Sequence, residues 1–208
     1  MSEYSSKQRK HFRQALNKCE VRIVDPVEQS EKLYKVYVAA FQNYKEADNE
    51  SSHEQFLTNC HKDQQEGVIY FAAFDKESGM LIGYMNTVEH PTYVETRTAK
   101  YHPDFLNLRP SDAIHYTVLD HYLNQLRKKF VCSGSRNINH ITNAQEYKIE
   151  SFKFRRAYCQ LHVKFNPKIA WVIPIAYRMR GVLRKFDKIR LVHQINAVLK
   201  MEEIQRGQ

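Results

Sequence analysis

Residues 131–166 constrain the fold more tightly than any other stretch. A short apolar run leads into a loop dense in Ser, Arg, Asn and His. A segment of helical period follows, opened by Thr142 and Gln145 as a capping box. Ala157, Cys159, Leu161, Val163 and Phe165 then alternate strictly with Tyr158, Gln160, His162 and Lys164, the strongest strand signal in the chain. Strand, helix and strand in that order bury one helix on a sheet and leave polar groups at a strand end. Open α/β sheets bind ligands at such ends.

The rest of the chain fits the same class. Residues 19–24 read as a first strand. Asp25, Pro26 and Glu28 form a helix start, and Tyr34, Tyr37, Val38, Phe41 and Tyr44 continue it at helical spacing. Residues 52–65 read as a second helix and residues 5–18 as a short basic one. Residues 68–74 and 80–88 form a hairpin around the turn 75–79, and residues 92–101 form another strand. Ser111 is expected to cap a helix whose stripe is Ile114, Val118, Leu119, Tyr122, Leu123 and Leu126. Residues 130–133 make the next short strand. The expected fold is α/β, a mixed and mostly antiparallel sheet of six or seven strands flanked by helices. Three parts are expected: a basic segment 1–18, a domain 19–166 and a basic helical appendage 167–208.

Charge is segregated along the chain. The net charge is +9, yet residues 153–208 carry thirteen Lys/Arg against three acids while residues 19–152 carry fourteen against nineteen. Such a tail points to an anionic partner. In it Trp171, Ile175, Met179, Val182 and Phe186 share a helical face opposite Arg180, Arg184 and Lys188. Three uses of that helix follow: contact with an anionic membrane surface, binding of RNA phosphates, or packing on the domain. No DNA partner is expected. The N-terminus has no apolar leader, and the longest apolar run, 169–177, contains Pro174 and falls short of the ~18 residues of a membrane span. The expected location is cytoplasmic, with the tail at the inner face of a membrane.

Several chemistries lack their motifs. Cys19, Cys60, Cys132 and Cys159 form no CxxC pair, and the ten histidines show no ligand spacing, so no metal is expected. The six glycines allow neither a GxGxxG nor a Walker loop, and there is no GxSxG elbow.

The element order, together with residues 142–161 (TNAQEYKIESFKFRRAYCQL) and Phe154 at the step from helix into strand, resembles the GNAT acyltransferase superfamily, including its FemAB-like branch. The resemblance covers residues 19–166. It implies a sheet that splays between its fourth strand, 92–101, and its fifth, 130–133, with an acyl-thioester such as acyl-CoA in the gap. The helix starting near Ser111 would aim its N-terminus at a pyrophosphate, since free N–H groups and the helix dipole favour phosphate. Tyr101, Arg109 and Ser111 then border the cofactor. Ser133, Arg136, Asn139, His140 and Asn143 crowd the loop after the fifth strand, where their amides, guanidinium and imidazole suit a pantetheine amide or a phosphate. Glu89 and His90 would be the candidate bases at the acceptor site. The implied activity is acyl transfer to an amine, such as an amino sugar. Two other readings stand beside it. One is aminoacyl transfer from charged tRNA, as in the FemAB-like branch. The other is a non-catalytic GNAT-like domain, motivated by the absence of glycine from the loop 101–110.

Overall fold

The computed structural model describes residues 3–42, 51–134, 143–158 and 160–207. The chain divides into two units, Met1–Gly134 and Ser135–Gln208.

The first unit is a sheet with helices on both faces. Its elements are α1 (Ser6–Lys18), β1 (Cys19–Val24), α2 (Ser30–Phe41), α3 (His53–Gln65), β2 (Ile69–Asp75), β3 (Leu81–Glu89), β4 (Tyr93–Tyr101), α4 (Pro110–Leu119) and β5 (Phe130–Cys132). The five strands lie in sequence order, antiparallel from β1 to β4, with β5 parallel to β4. β2 is an inner strand and apolar on both faces. Phe71 and Ala73 enter a core with Ala15 of α1 and Ala113, Ile114 and Val118 of α4. Tyr70, Ala72 and Phe74 enter a second core with Leu33 and Val36 of α2 and Phe56 and Cys60 of α3. That is why β2 reads as a continuous apolar run. Burial pushes the thiols of Cys19 and Cys60 up to about 11, so both remain neutral packing groups.

Helix boundaries follow local chemistry. The Asp25 carboxylate accepts from the amides of Val27 and Glu28, but it caps a turn rather than the helix, and α2 begins only at Ser30. Ser52 caps α3 by accepting from the Gln55 amide. The cap of α4 is Arg109, not Ser111. Its φ of 61° turns the chain out of a 3₁₀ segment, Pro103–Leu108, and Pro110 supplies the first helical residue. After Leu119 the helix widens into a π segment, Asp120–Gln125. There Tyr122 is fully buried with its hydroxyl 2.8 Å from Thr87 Oγ1.

The strand expected at 157–165 does not form. Among the described residues the sheet has five strands, and residues 153–158 and 160–166 carry no ladder. The alternation survives as alternating exposure between Leu161 and Asn166. The Val163 amide, however, donates to the Gln205 side chain at 3.3 Å instead of to a neighbouring strand. A period of two specifies extended backbone; a strand also needs a partner edge.

The second unit begins with α5 (Ala144–Phe152), whose N-cap is Asn143. Extended chain then leads into α6 (Pro167–Ala170), α7 (Val172–Arg178), α8 (Arg180–Leu183) and a 3₁₀ turn, Arg184–Phe186. α9 (Arg190–Arg206) folds back along α7 and α8. Glu203 ties the pair by bridging Arg184 at 2.6 Å and Arg180 at 3.8 Å. No helix among the described residues is long and apolar enough to cross a membrane.

Candidate active site: a fork between two strands

β4 and β5 pair over three residues only: Tyr93 with Phe130, Val94 with Val131, and Glu95 with Cys132. A last tie runs from Thr96 Oγ1 to the Cys132 carbonyl at 3.3 Å. β5 stops there, while β4 continues to Tyr101 paired with β3 alone. Six residues of β4 therefore present one edge with no strand on it among the described residues.

That edge is distorted where the fork begins. Thr87 faces Thr96, but Met85 faces Ala99, so β4 holds one residue more than β3 across this step. Such a bulge unpairs the ladder locally and re-aims its backbone groups. Side chains hold it in place. Asn86 Oδ1 accepts from the Thr98 amide at 2.7 Å. Asn86 Nδ2 donates to Tyr70 Oη at 3.3 Å and to Asp63 Oδ2 at 3.4 Å, and the Tyr70 hydroxyl donates to Asp63. Burial first, then the bond to Asp63 and its charge, raise the Tyr70 phenol far above its ordinary range, so it stays a donor. Beyond the bulge the His102 amide donates to Ile82 O, and Lys100 lies opposite Tyr84. By the alternation of an antiparallel ladder, the Ala99 amide points the other way, to the edge that β5 has left.

Two charged side chains flank the fork on the α2–α3 side. Glu95 is the last β4 residue paired with β5. Its Oε1 lies 3.3 Å from where a Cβ on Gly134 would stand, and its Oε2 lies 3.9 Å from Arg97 Nε. Gly134, at φ 71°, gives that carboxylate room. Lys100 holds its ammonium 4.4 Å from the centre of the Phe41 ring, and burial lowers its pKa.

Tyr101, Arg109 and Ser111 come together at the open end of β4. Tyr101 lies opposite Gly83, and a Cβ on Gly83 would stand 2.9 Å from the Tyr101 ring, 3.3 Å from Lys100 O and 3.4 Å from Pro110. The glycine thus allows the ring and the start of α4 to close over β3. The Tyr101 hydroxyl lies 3.4 Å from His115 Nδ1, which donates to the Ser111 carbonyl at 2.8 Å. Arg109 pairs with the buried Asp112 at 3.2 Å. Gly83→Ala is expected to cost ~1–3 kcal/mol by overpacking. Urea denaturation checks it, and an unchanged midpoint would show that the ring yields freely.

The other expected site residues are placed elsewhere. Glu89 ends β3 and His90 follows it, beside the zipped start of β4, since Glu89 faces Val94. Roughly 20 Å of strand separates them from Tyr101. The Glu89 carboxylate is 3.1 Å from Lys128 Nζ, which also donates to His90 O, and the His90 ring stacks on Tyr93. Ser133 follows β5 at the fork. Asn143 lies in the second unit as the cap of α5. Arg136, Asn139 and His140 lie outside the described residues. Among the described residues no group of three or more His, Cys, Asp or Glu is placed to hold a metal ion.

No family model matches the chain, and no curated protein matches it. Solved structures do. A ribosomal-protein-alanine N-acetyltransferase from Brucella melitensis biovar Abortus 2308 aligns with a TM-score of 0.54 at 10% identity, over 71% of this chain and 99% of its own. A protein described as a probable acetyltransferase aligns with a TM-score of 0.54 at 12% identity, over 71% and 98%. AAC(6')-Iy in complex with the bisubstrate analogue CoA-S-monomethyl-acetylneamine aligns with a TM-score of 0.51 at 10% identity, over 71% and 98%. At these identities the likeness is one of fold. The chain has the fold of the GNAT acetyltransferases, a mixed and mostly antiparallel sheet flanked by helices, as the sequence resemblance implies.

Proposed function

We propose that this protein transfers an acyl group from an acyl-coenzyme A thioester to an amine. The observation that carries the reading is the fork: β4 and β5 part after three residue pairs, beside a bulge pinned by three side chains. An extended thioester arm fits the vacated edge of β4, where its amide groups replace β5 as hydrogen-bonding partners. The phosphate end lies toward α4, with the Arg109 guanidinium and the Ser111 amide. Asp112 is already neutralised by Arg109 and buried, so it presents little charge to a phosphate.

In the reaction the Ala99 amide donates to the thioester carbonyl oxygen and holds the oxyanion as charge develops there. Glu95 takes a proton from the acceptor ammonium, directly or through one water, on the α2–α3 side. The amine attacks, the C–N bond forms and the C–S bond breaks. The nitrogen gives up its second proton to the departing thiolate, through solvent, so that coenzyme A leaves as the free thiol, and Glu95 returns the proton it took to solvent. This role for Glu95 differs from the expectation placed on Glu89 and His90. The carboxylate at the fork is Glu95, and Glu89 is paired with Lys128 at the closed end.

Amino sugars head the list of acceptors, because AAC(6')-Iy, which shares the fold, is seen with an acetylneamine analogue. Calorimetric titration with acetyl-CoA, followed by free-thiol release with a panel of amino sugars and simple amines, tests the proposal. Binding with turnover is the expected result. Binding without turnover on any amine would leave a carrier-binding protein, and no heat up to millimolar acetyl-CoA would remove the donor altogether.

A further inference from the structure

The helical segment from α6 to the 3₁₀ turn at Arg184–Phe186 has two apolar faces, and only one is used within its unit. Ile173 of α7 is buried, as are Ala197 and Leu199 of α9, the helix that packs against α7. The other face carries Trp171, Ile175, Met179, Val182 and Phe186, each more than half exposed, and Leu191 at the start of α9 extends it. A helix apolar on both sides requires a second apolar environment. Positive charge flanks this one. Lys168, Arg178, Lys185, Lys188 and Arg190 are all exposed, and no acidic group is placed within ion-pair distance of them among the described residues. Arg180 and Arg184 are engaged by Glu203 and belong to the internal tie of the unit.

We propose that this face docks on the surface of an anionic phospholipid membrane, lying in the interface rather than crossing it. Exposed apolar side chains with a Trp at one end, bordered by uncompensated bases, are what an in-plane helix presents to headgroups and acyl chains. Nucleic acid is the weaker fit: phosphate binding uses the bases but gives no role to Ile175, Met179 and Val182. The inference stands independently of the acyl-transfer reading, since it concerns the second unit alone.

Trp171 is the only tryptophan of the chain, so its emission reports on this face. The full chain is mixed with vesicles of phosphatidylcholine, and with vesicles in which about a third of that lipid is phosphatidylserine; emission and co-sedimentation are read. Blue-shifted emission and sedimentation with the anionic vesicles, weakened by salt, are expected. Lys185→Glu with Lys188→Glu lowers the partition coefficient by about tenfold or more. Met179→Asp with Val182→Asp, at exposed positions that leave folding intact by circular dichroism, abolishes the blue shift. Equal binding to the neutral vesicles overturns the proposal. So does emission already blue-shifted in buffer and unmoved by lipid, which would mean that protein covers the face. Binding to single-stranded RNA with none to anionic vesicles also overturns it.

Discussion

Replacing Glu95 by Gln lowers kcat/KM for acyl transfer at neutral pH by about 10²–10⁴-fold, the range of a lost general base. The amide keeps the shape of the side chain but cannot accept the ammonium proton. The deficit shrinks as pH rises toward the pKa of the acceptor amine, because solvent then supplies the free base. Affinity for acyl-CoA is unchanged, since the carboxylate sits beside the fork and not along the donor arm. Stability is nearly unaffected: the exposed contact with Arg97 at 3.9 Å contributes at most ~1 kcal/mol. A pH–rate profile of both proteins against one amine decides it. A variant that keeps wild-type kcat at every pH places the base elsewhere, and Glu89→Gln is then the next measurement.

Phe12→Ala destabilises the first unit by about 3–5 kcal/mol, the cost of emptying a fully buried aromatic site. α1 is strongly basic and its buried residues are few, yet Phe12 and Ala15 are completely excluded from solvent. The Phe12 ring lies 5.2 Å from that of Tyr116 on α4 and 5.0 Å from that of Tyr4. Cys19, directly after the helix, is in the same core. Removing the ring leaves a cavity between α1 and α4 that neither helix can collapse into without moving β1. Urea unfolding followed by far-UV circular dichroism measures the loss. A loosely appended basic segment would leave the midpoint where it was.

Most of the strands were legible because each carried its own punctuation. The apolar run of β2, the turn 75–79 and the pairing of residues 80–88 and 92–101 place the hairpins within a residue or two, and β1 matches its expected bounds. The fork itself was expected only through resemblance, because nothing in residues 130–133 says where β5 will stop. The bulge was not legible at all. One extra residue in β4 alters neither composition nor alternation enough to register, and Asn86 reads as an ordinary polar residue near a strand end. Glu95 is silent in the sequence for the same reason: within a strand it is one polar position among several, and the role proposed for it rests on its standing opposite Cys132. The loop 101–110 has no glycine, which motivates the non-catalytic reading, and in the structure Arg109 takes the left-handed conformation there. The misreading at 157–165 ran the other way: an ideal pattern with no partner edge.

The parallel pairing of β5 also orders assembly. β2, β3 and β4 are joined by short hairpins and close through local contacts, whereas β5 returns only after α4 and its π segment have been laid across the sheet. Non-local pairings of this kind form late. The strand that defines the gap is thus the last to arrive, anchored by three residue pairs, and its amides should exchange with deuterium long before those of β2. A nascent chain holding the meander alone would have most of its scaffold and no fork.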